Sequence, residues 1–220
     1  MTQNNGRPAG LNCPSVHPYT IATGTTGAAF FSELYAITKN ASYAAVAAAA
    51  ISYEASVVLG NGEVPYILDG ANCSTVSSDG CHAVGGPWPF DTISYVTEGV
   101  AGASLLLPSK SGAWRRTLIK QWKPTVDFLL KTQTAGGYWG SLHSQDQFRS
   151  PRCASLLSWW LSVVDSPSYR DEPVHNAIDA FLNFVVNKSA SENYGVFQNT
   201  MVTGMVGLAL ADALSFGSTF

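Results

Sequence analysis

The segment FLLKTQTAGGYWG, residues 128–140, decides the predicted fold: a helix-like stretch ends there in a polar turn, and a glycine and an aromatic ring precede the next apolar segment. The order glycine, any residue, aromatic ring occurs three times in the chain, at spacings of 51 and 58 residues. The copies are Gly86-Pro87-Trp88, Gly137-Tyr138-Trp139 and Gly195-Val196-Phe197. A unit of this size that reads helix, loop, helix predicts an array of helical hairpins.

The middle copy is also similar to a known family motif. Phe128-Leu129-Leu130, then Gln133, then Gly137-Tyr138-Trp139 resemble the QW repeat of the terpenoid cyclase and prenyltransferase-like α/α toroids. In that superfamily the glutamine and the tryptophan are structural and connect the end of an outer helix to the start of an inner one. The last copy has Asn187 and Phe197 instead, and the acidic motifs DDxxD and DxDD do not occur in the chain. The resemblance therefore implies an architecture and leaves the reaction open.

Hydrophobic periodicity and capping signals predict an all-α fold of about seven helices, arranged as helical hairpins in a partial or small α/α toroid. The proline-containing residues 1–26 are predicted to be an extended N-terminal arm, and residues 27–220 a single helical-hairpin domain. Three helices are apolar nearly all round and two are amphipathic, which predicts an inner and an outer set. The inner helices are 91–107, 150–164 and 198–214, the outer ones are 112–133 and 168–187, and two further helices span 28–38 and 41–59.

Composition excludes several classes of partner. Only 12% of the 220 residues are charged and the net charge is -3, so no basic patch is available for nucleic acid or anionic lipid. No apolar run reaches the roughly 18 residues that a bilayer span requires, and a soluble protein without a membrane partner is expected. Since seven helices are fewer than the twelve of a double ring, a homodimer is one way to complete the toroid.

Four cysteines and three Asn-x-Ser sequons bear on the compartment. The sequons lie at Asn40, Asn72 and Asn187, whereas about two are expected by chance. Cys73 and Cys81 flank a Ser/Gly-rich loop and favour a small disulfide ring, which is typical of secreted proteins. A secreted or lumenal protein is therefore favoured, and a cytosolic one stays open.

The loops that lead from outer to inner helices are predicted to meet at one mouth of the bundle, where a pocket forms. The densest of them is YWGSLHSQDQFRSPR, residues 138–152, which contains Tyr138, His143 and Asp146 before two arginines. Arg149 and Arg152 lie at a helix N-terminus, where the helix dipole disfavours positive charge. Each therefore requires an anionic partner, and two readings stand equal: a bracing salt bridge, for example to Asp146, or an anionic ligand.

Glu98 is a carboxylate inside an otherwise apolar predicted helix, and it shares one face with Asp91, Tyr95 and Gly102. Such a group must be paired or neutralised. Asp91 is read as the N-cap of the helix. For Glu98, a structural pair with an arginine such as Arg152 and a role as an active-site acid are equally favoured.

These arguments give two sets of candidate residues. The catalytic candidates are Glu98, His143, Tyr138, Asp146 and Tyr95. The candidates for substrate binding are Arg149, Arg152, Trp88, Trp139, Tyr194 and Gln198.

The loop DGANCSTVSSDGCHAVGG contains potential metal ligands, namely Asp69, Cys73, Asp79, Cys81 and His82. The adjacent Cys81-His82 pair slightly resembles the zinc ligands of lanthionine-synthetase cyclases, which are also α/α toroids. The further cysteine ligands of those proteins have no counterpart here, and neither CxxC nor HxxxH spacing occurs in this loop. A Cys73–Cys81 disulfide, a zinc site and unpaired loop cysteines all remain open, and we expect neither a metal nor another cofactor.

Motifs of several enzyme classes are missing: GxSxG, GxxxxGK[ST] and GxGxxG after a strand do not occur. The predicted function is therefore a cofactor-free acid-base enzyme, a cyclase, isomerase or lyase, that acts on a small organic or sugar-like substrate in a pocket at the end of the inner helices. One alternative is a carbohydrate-active lyase or glycosidase of α/α-toroid type, in which Glu98 and Asp146 would be the carboxylate pair. The other is a non-catalytic binding or scaffold module.

Overall fold

Helices dominate the part of the chain that the structure describes. The computed structural model describes residues 2–3, 7–8, 19–65, 67–69, 82–84, 90, 93, 96–97, 112–140, 150–164, 172–191 and 200–216. Within these ranges there are six helices: α1 (Ile21–Thr38), α2 (Ala41–Ser56), α3 (Gly112–Thr132), α4 (Ser150–Val164), α5 (Glu172–Ser191) and α6 (Thr200–Phe216). The all-α prediction is confirmed, and closure into a toroid stays a prediction.

Short strands of two or three residues accompany the helices. β1 (Thr2–Gln3) pairs with β2 (Arg7–Pro8), and β3 (Tyr19–Thr20), β4 (Ile67–Asp69) and β5 (His82–Val84) form an antiparallel three-stranded sheet in that order. The sequence did not predict these strands, because segments this short carry no usable alternation of polar and apolar residues.

The chain divides into two compact units, Met1–Pro124 and Thr125–Phe220, with the boundary inside α3. The predicted single domain over residues 27–220 did not include this division. The predicted start of α1 was also wrong. Residues 21–26 were assigned to the extended arm, whereas they are helical in the structure. Their threonines and glycine have low helix propensity, so local sequence did not indicate a helix there.

In the first unit, α1 and α2 form a helical hairpin. Lys39 has a φ of 57° between the two helices, and its N–H donates to Tyr35 O at 2.8 Å. Asn40 then caps α2, since its Oδ1 accepts from the N–H of Ser42 at 3.0 Å. Small side chains let the helices approach closely, and the buried residues are Ala28 and Ser32 on α1 and Ala47, Ala48, Ile51, Glu54 and Ala55 on α2.

In the second unit, α4 is the central helix, and α5 and α6 both contact it. Every residue from Pro151 to Trp160 is buried, as predicted for the apolar helix 150–164. The outer helix α5 buries a single stripe, formed by Val174, Ala177, Ile178, Phe181 and Val185. Both assignments follow from the distribution of apolar residues around each helix.

Helix α6 differs from its prediction as a helix buried on all sides. It buries Val206, Ala209 and Ala213, whereas Leu208 and Leu214 are exposed to 49% and 61%. Among the described helices of its unit, α4 and α5 cover only one face of α6. An apolar composition all round is therefore not sufficient to predict an inner position for this helix.

Candidate functional site

The turn that follows α3 is fixed by side-chain hydrogen bonds of the two residues that the QW-like motif singles out. Gln133 Nε2 donates to Gly137 O at 3.0 Å and to Ala177 O at 2.7 Å. Trp139 Nε1 donates to Leu129 O at 2.9 Å. The glutamine thus connects the turn to α5, and the tryptophan connects it back to α3. Both side chains have a structural role here, although the glutamine reaches α5 rather than the start of the next inner helix.

Gly137 allows this turn to lie against α5. Its φ is +85°, a conformation that L-residues with a Cβ rarely adopt. A Cβ at this position would lie 2.2 Å from Ala180 O and 2.6 Å from Ala180 C. Backbone therefore packs directly on backbone, which explains why the motif has glycine at this position.

Tyr138 and Trp139 extend the same contact with their rings. Trp139 is fully buried, and its ring centroid lies 6.0 Å from that of Phe181. Tyr138 is half-buried, with its ring centroid 5.0 Å from that of Phe184. Both rings pack on α5, so two residues that the sequence nominated for catalysis and substrate binding serve the packing of the second unit.

Arg152, a predicted substrate-binding residue, forms a buried ion pair. Its Nη1 donates to Asp212 Oδ2 at 3.1 Å and to Ser155 Oγ at 3.1 Å. Asp212 lies on α6, so the guanidinium connects α4 to α6. Of the two readings given above, the geometry favours the salt bridge for Arg152, with Asp212 in place of Asp146 or Glu98. A sequence signal was present, since Asp212 is the single acidic residue that interrupts the apolar run of α6.

The remaining candidates lie outside the described residues. They are Glu98, Tyr95, His143 and Asp146 of the catalytic set, and Arg149, Trp88, Tyr194 and Gln198 of the binding set. The same holds for Cys73 and Cys81 and for the side chain of His82. Convergence of the three loops on one mouth stays a prediction.

Sequence reasoning missed Glu54, the ionisable side chain with the most unusual environment in the described first unit. It is 1% exposed and lies on the buried face of α2, one helical turn from Ile51 and two from Ala47. Its Oε2 is buried and has no hydrogen-bond partner. Burial raises the pKa of Glu54 from 4.5 to about 8, because desolvation disfavours the charged form.

The two serine hydroxyls near Glu54 in sequence have partners elsewhere. Ser52 Oγ donates to Ala48 O at 2.8 Å and accepts from Trp114 Nε1 at 3.0 Å, which ties the first turn of α3 to α2. Ser56 Oγ donates to Tyr53 O at 2.6 Å. Neither hydroxyl forms a hydrogen bond with the carboxyl of Glu54. The carboxyl is therefore stable in the apolar interior mainly as the neutral acid.

Two further observations concern metals and membranes. Within the described ranges, no group of three or more His, Cys, Asp or Glu side chains is arranged so that it could hold a metal ion. No helix in the described part of the chain is both long and apolar enough to cross a bilayer.

No protein-family model, curated protein or solved structure matches this chain. Functional inference therefore rests on the residues themselves, and the similarity to α/α toroids stays a resemblance carried by Gln133, Gly137 and Trp139.

Proposed function

We propose that this chain is a cofactor-free acid-base enzyme, of cyclase, isomerase or lyase type, that acts on a small organic or sugar-like substrate. The observation that supports this is the carboxyl of Glu54: it is buried on α2, its Oε2 accepts no hydrogen bond, and its pKa of about 8 keeps it protonated at neutral pH. A carboxylic acid that holds its proton near pH 7 is suited to donate it to a developing negative charge.

Proton donation by a buried carboxylic acid was predicted for Glu98. Among the described residues, Glu54 best meets the requirements of burial and a raised pKa. Both are single carboxylates in apolar helices. Since perturbed pKa values concentrate at functional sites, a strongly raised value in a described residue is a stronger argument than position in the sequence alone. Glu98, which belongs to the same unit, remains a candidate for a further active-site acid.

Burial sets a geometric requirement on this proposal. A general acid acts within about 2.6–3.2 Å of the atom that it protonates, directly or through one water molecule. The substrate therefore has to reach the buried face of α2 near Glu54, which limits it to a small molecule or to one terminal group of a larger one.

A screen for solvent proton incorporation tests the proposal. The protein is incubated in D₂O with panels of neutral and anionic sugars and of small hydroxy and keto acids, and deuterium in the products is followed by NMR. Turnover should fall as the pH rises through about 8, because the active form of Glu54 is protonated. Glu54→Gln removes the transferable proton and should lower the rate by a factor of about 10² to 10⁴.

A matched control separates this effect from a change of charge. Glu33 lies on α1 in the same unit and is exposed, so Glu33→Gln should leave turnover unchanged. A Glu54→Gln variant that is folded and turns over at the wild-type rate would refute the assignment of Glu54 as proton donor.

A non-catalytic scaffold is the second candidate, and one observation favours it. The three predicted site residues that the structure describes, Tyr138, Trp139 and Arg152, all contact other parts of the fold. For a scaffold, no substrate in the panels is converted, and Glu54→Gln changes stability alone. The carbohydrate-active alternative rests on Glu98 and Asp146 and stays a prediction.

A further inference from the structure

The α1–α2 hairpin contains a titratable group at a position where charge is poorly tolerated. Glu54 lies on the face of α2 that is otherwise formed by alanines and Ile51, and Oε2 has no hydrogen-bond partner. A neutral carboxylic acid costs less at such a site than a carboxylate, whose charge loses its hydration without gaining a partner. Packing of this face and ionisation of Glu54 therefore compete.

The positively charged side chains that the structure describes on the elements around Glu54 lie at the surface. On α1, Glu33 is exposed and Tyr35 is half-buried; Lys39, in the turn, is exposed. Helix α3 contacts α2 through Trp114. On α3, Arg116, Lys120 and Lys123 are exposed, and the side chain of Arg115 is not among those described. Among the described residues, none forms an ion pair with Glu54.

We infer that Glu54 is a proton-controlled latch on the α1–α2 hairpin: with its proton bound the buried face of α2 stays packed, and loss of the proton releases it. The direction follows from linkage. The pKa is about 8 when the face is packed and 4.5 when the carboxyl is in water, so the packed state binds the proton more tightly. Packing is strongest at acidic pH and weakens as the pH rises from 4.5 through about 8. This inference does not depend on whether Glu54 protonates a substrate.

Amide hydrogen exchange of the full chain tests the latch, because it measures the opening of individual helices. Protection of α2 peptides is measured by mass spectrometry at about pH 6 and about pH 9 and corrected for the intrinsic exchange rate at each pH. The two pKa values of Glu54 predict that α2 protection drops by a factor on the order of 10² between these conditions. Peptides from α4, whose residues are buried in the second unit, serve as the internal reference and should lose much less protection.

Two variants assign the effect to the residue. In Glu54→Gln, α2 should keep its protection from pH 6 to pH 9, and at pH 9 it should be better protected than in the wild type by a factor on the order of 10³. Glu33→Gln, an exposed acid on the partner helix, should behave like the wild type.

Each remaining outcome overturns the inference. In the wild type alone, equal protection of α2 at the two pH values would show that no latch exists, even if Glu54→Gln fails to fold. A drop that persists in Glu54→Gln, or that disappears in Glu33→Gln, would assign the pH response to a different group.

Discussion

Replacement of Gly137 by alanine tests the packing of the turn after α3 against α5. The added methyl group is unfavourable for two independent reasons, the backbone conformation of residue 137 and a steric overlap with α5. Gly137 has a φ of +85°, and its missing Cβ would lie 2.2 Å from the carbonyl oxygen of Ala180 on α5. The obstacle is backbone, which cannot rotate away as a flexible side chain can. Accommodation therefore requires α5 and the turn after α3 to move apart.

The magnitude can be worked out from these two costs. A left-handed conformation costs a residue with a Cβ about 1–2 kcal/mol. Overpacking of a methyl group against well-packed atoms costs about 1–3 kcal/mol. Alanine also restricts the unfolded chain, which returns about 0.4–1 kcal/mol. We therefore expect Gly137→Ala to lower the free energy of unfolding by about 1–5 kcal/mol, with further loss if the Gln133–Ala177 hydrogen bond breaks.

Urea unfolding followed by tryptophan fluorescence provides the measurement, since Trp139 lies in the same turn. Gly207→Ala is the matched control on α6, where an added Cβ meets no heavy atom within 4 Å. That substitution should raise the free energy of unfolding by about 0.5–1 kcal/mol, because alanine favours helix over glycine. The two identical substitutions should thus have effects of opposite sign.

The reasoning fails if Gly137→Ala is within about 0.5 kcal/mol of the wild type, the range of an ordinary surface substitution. It also fails if Gly207→Ala destabilises the protein as much as Gly137→Ala does, because the effect would then be one of glycine replacement in general.

Three further perturbations test other contacts. Trp139→Ala should lower the free energy of unfolding by about 3–5 kcal/mol, as measured by urea unfolding, because it removes a fully buried ring; a loss below about 1 kcal/mol would contradict that burial. Arg152→Met should lower the free energy of unfolding by about 2–4 kcal/mol, because Asp212 loses its partner. The loss stays in this range because Asp212 is 25% exposed and keeps part of its hydration. Unchanged stability together with lost binding of an anionic ligand would support the substrate-binding role instead. Glu54→Gln should leave the melting temperature almost unchanged near pH 4 and raise it above pH 8. The reason is that the wild type loses up to roughly 5 kcal/mol of its free energy of unfolding as the pH rises from 4.5 to about 8. If the melting temperatures of the two proteins depend on pH in the same way, the raised pKa is contradicted.

Local signals were sufficient for some elements and insufficient for others. Helix α4 spans Ser150–Val164 as predicted, because a serine cap, a proline in the first turn and an apolar run are encoded within the helix itself. The predicted start of α1 was wrong because residues 21–26 are rich in threonine and include a glycine, which have low helix propensity. The hydrogen bonds of Gln133 and Trp139 agree with the structural roles that the motif implies for these residues.

The candidate site was harder to predict, since burial depends on partners that are distant in sequence. The acid that pairs with Arg152 lies 60 residues away on α6, and the spacing of charges within the loop 138–152 does not indicate it. Glu54 was missed for a different reason. Alanine occupies half of the positions of α2, so its apolar residues do not indicate which face is buried.

Arg152 and Glu54 show the two solutions available to an ionisable group in an apolar helix, one in each unit. The guanidinium of an arginine stays charged in proteins, so Arg152 lies against a carboxylate, which Asp212 supplies. Glu54 can become neutral, and without a partner it does so through a raised pKa. A paired group responds little to pH near neutrality, whereas a neutralised one retains a proton that it can give up. This difference is the physical reason to look for the chemistry of this protein at Glu54 rather than at Arg152.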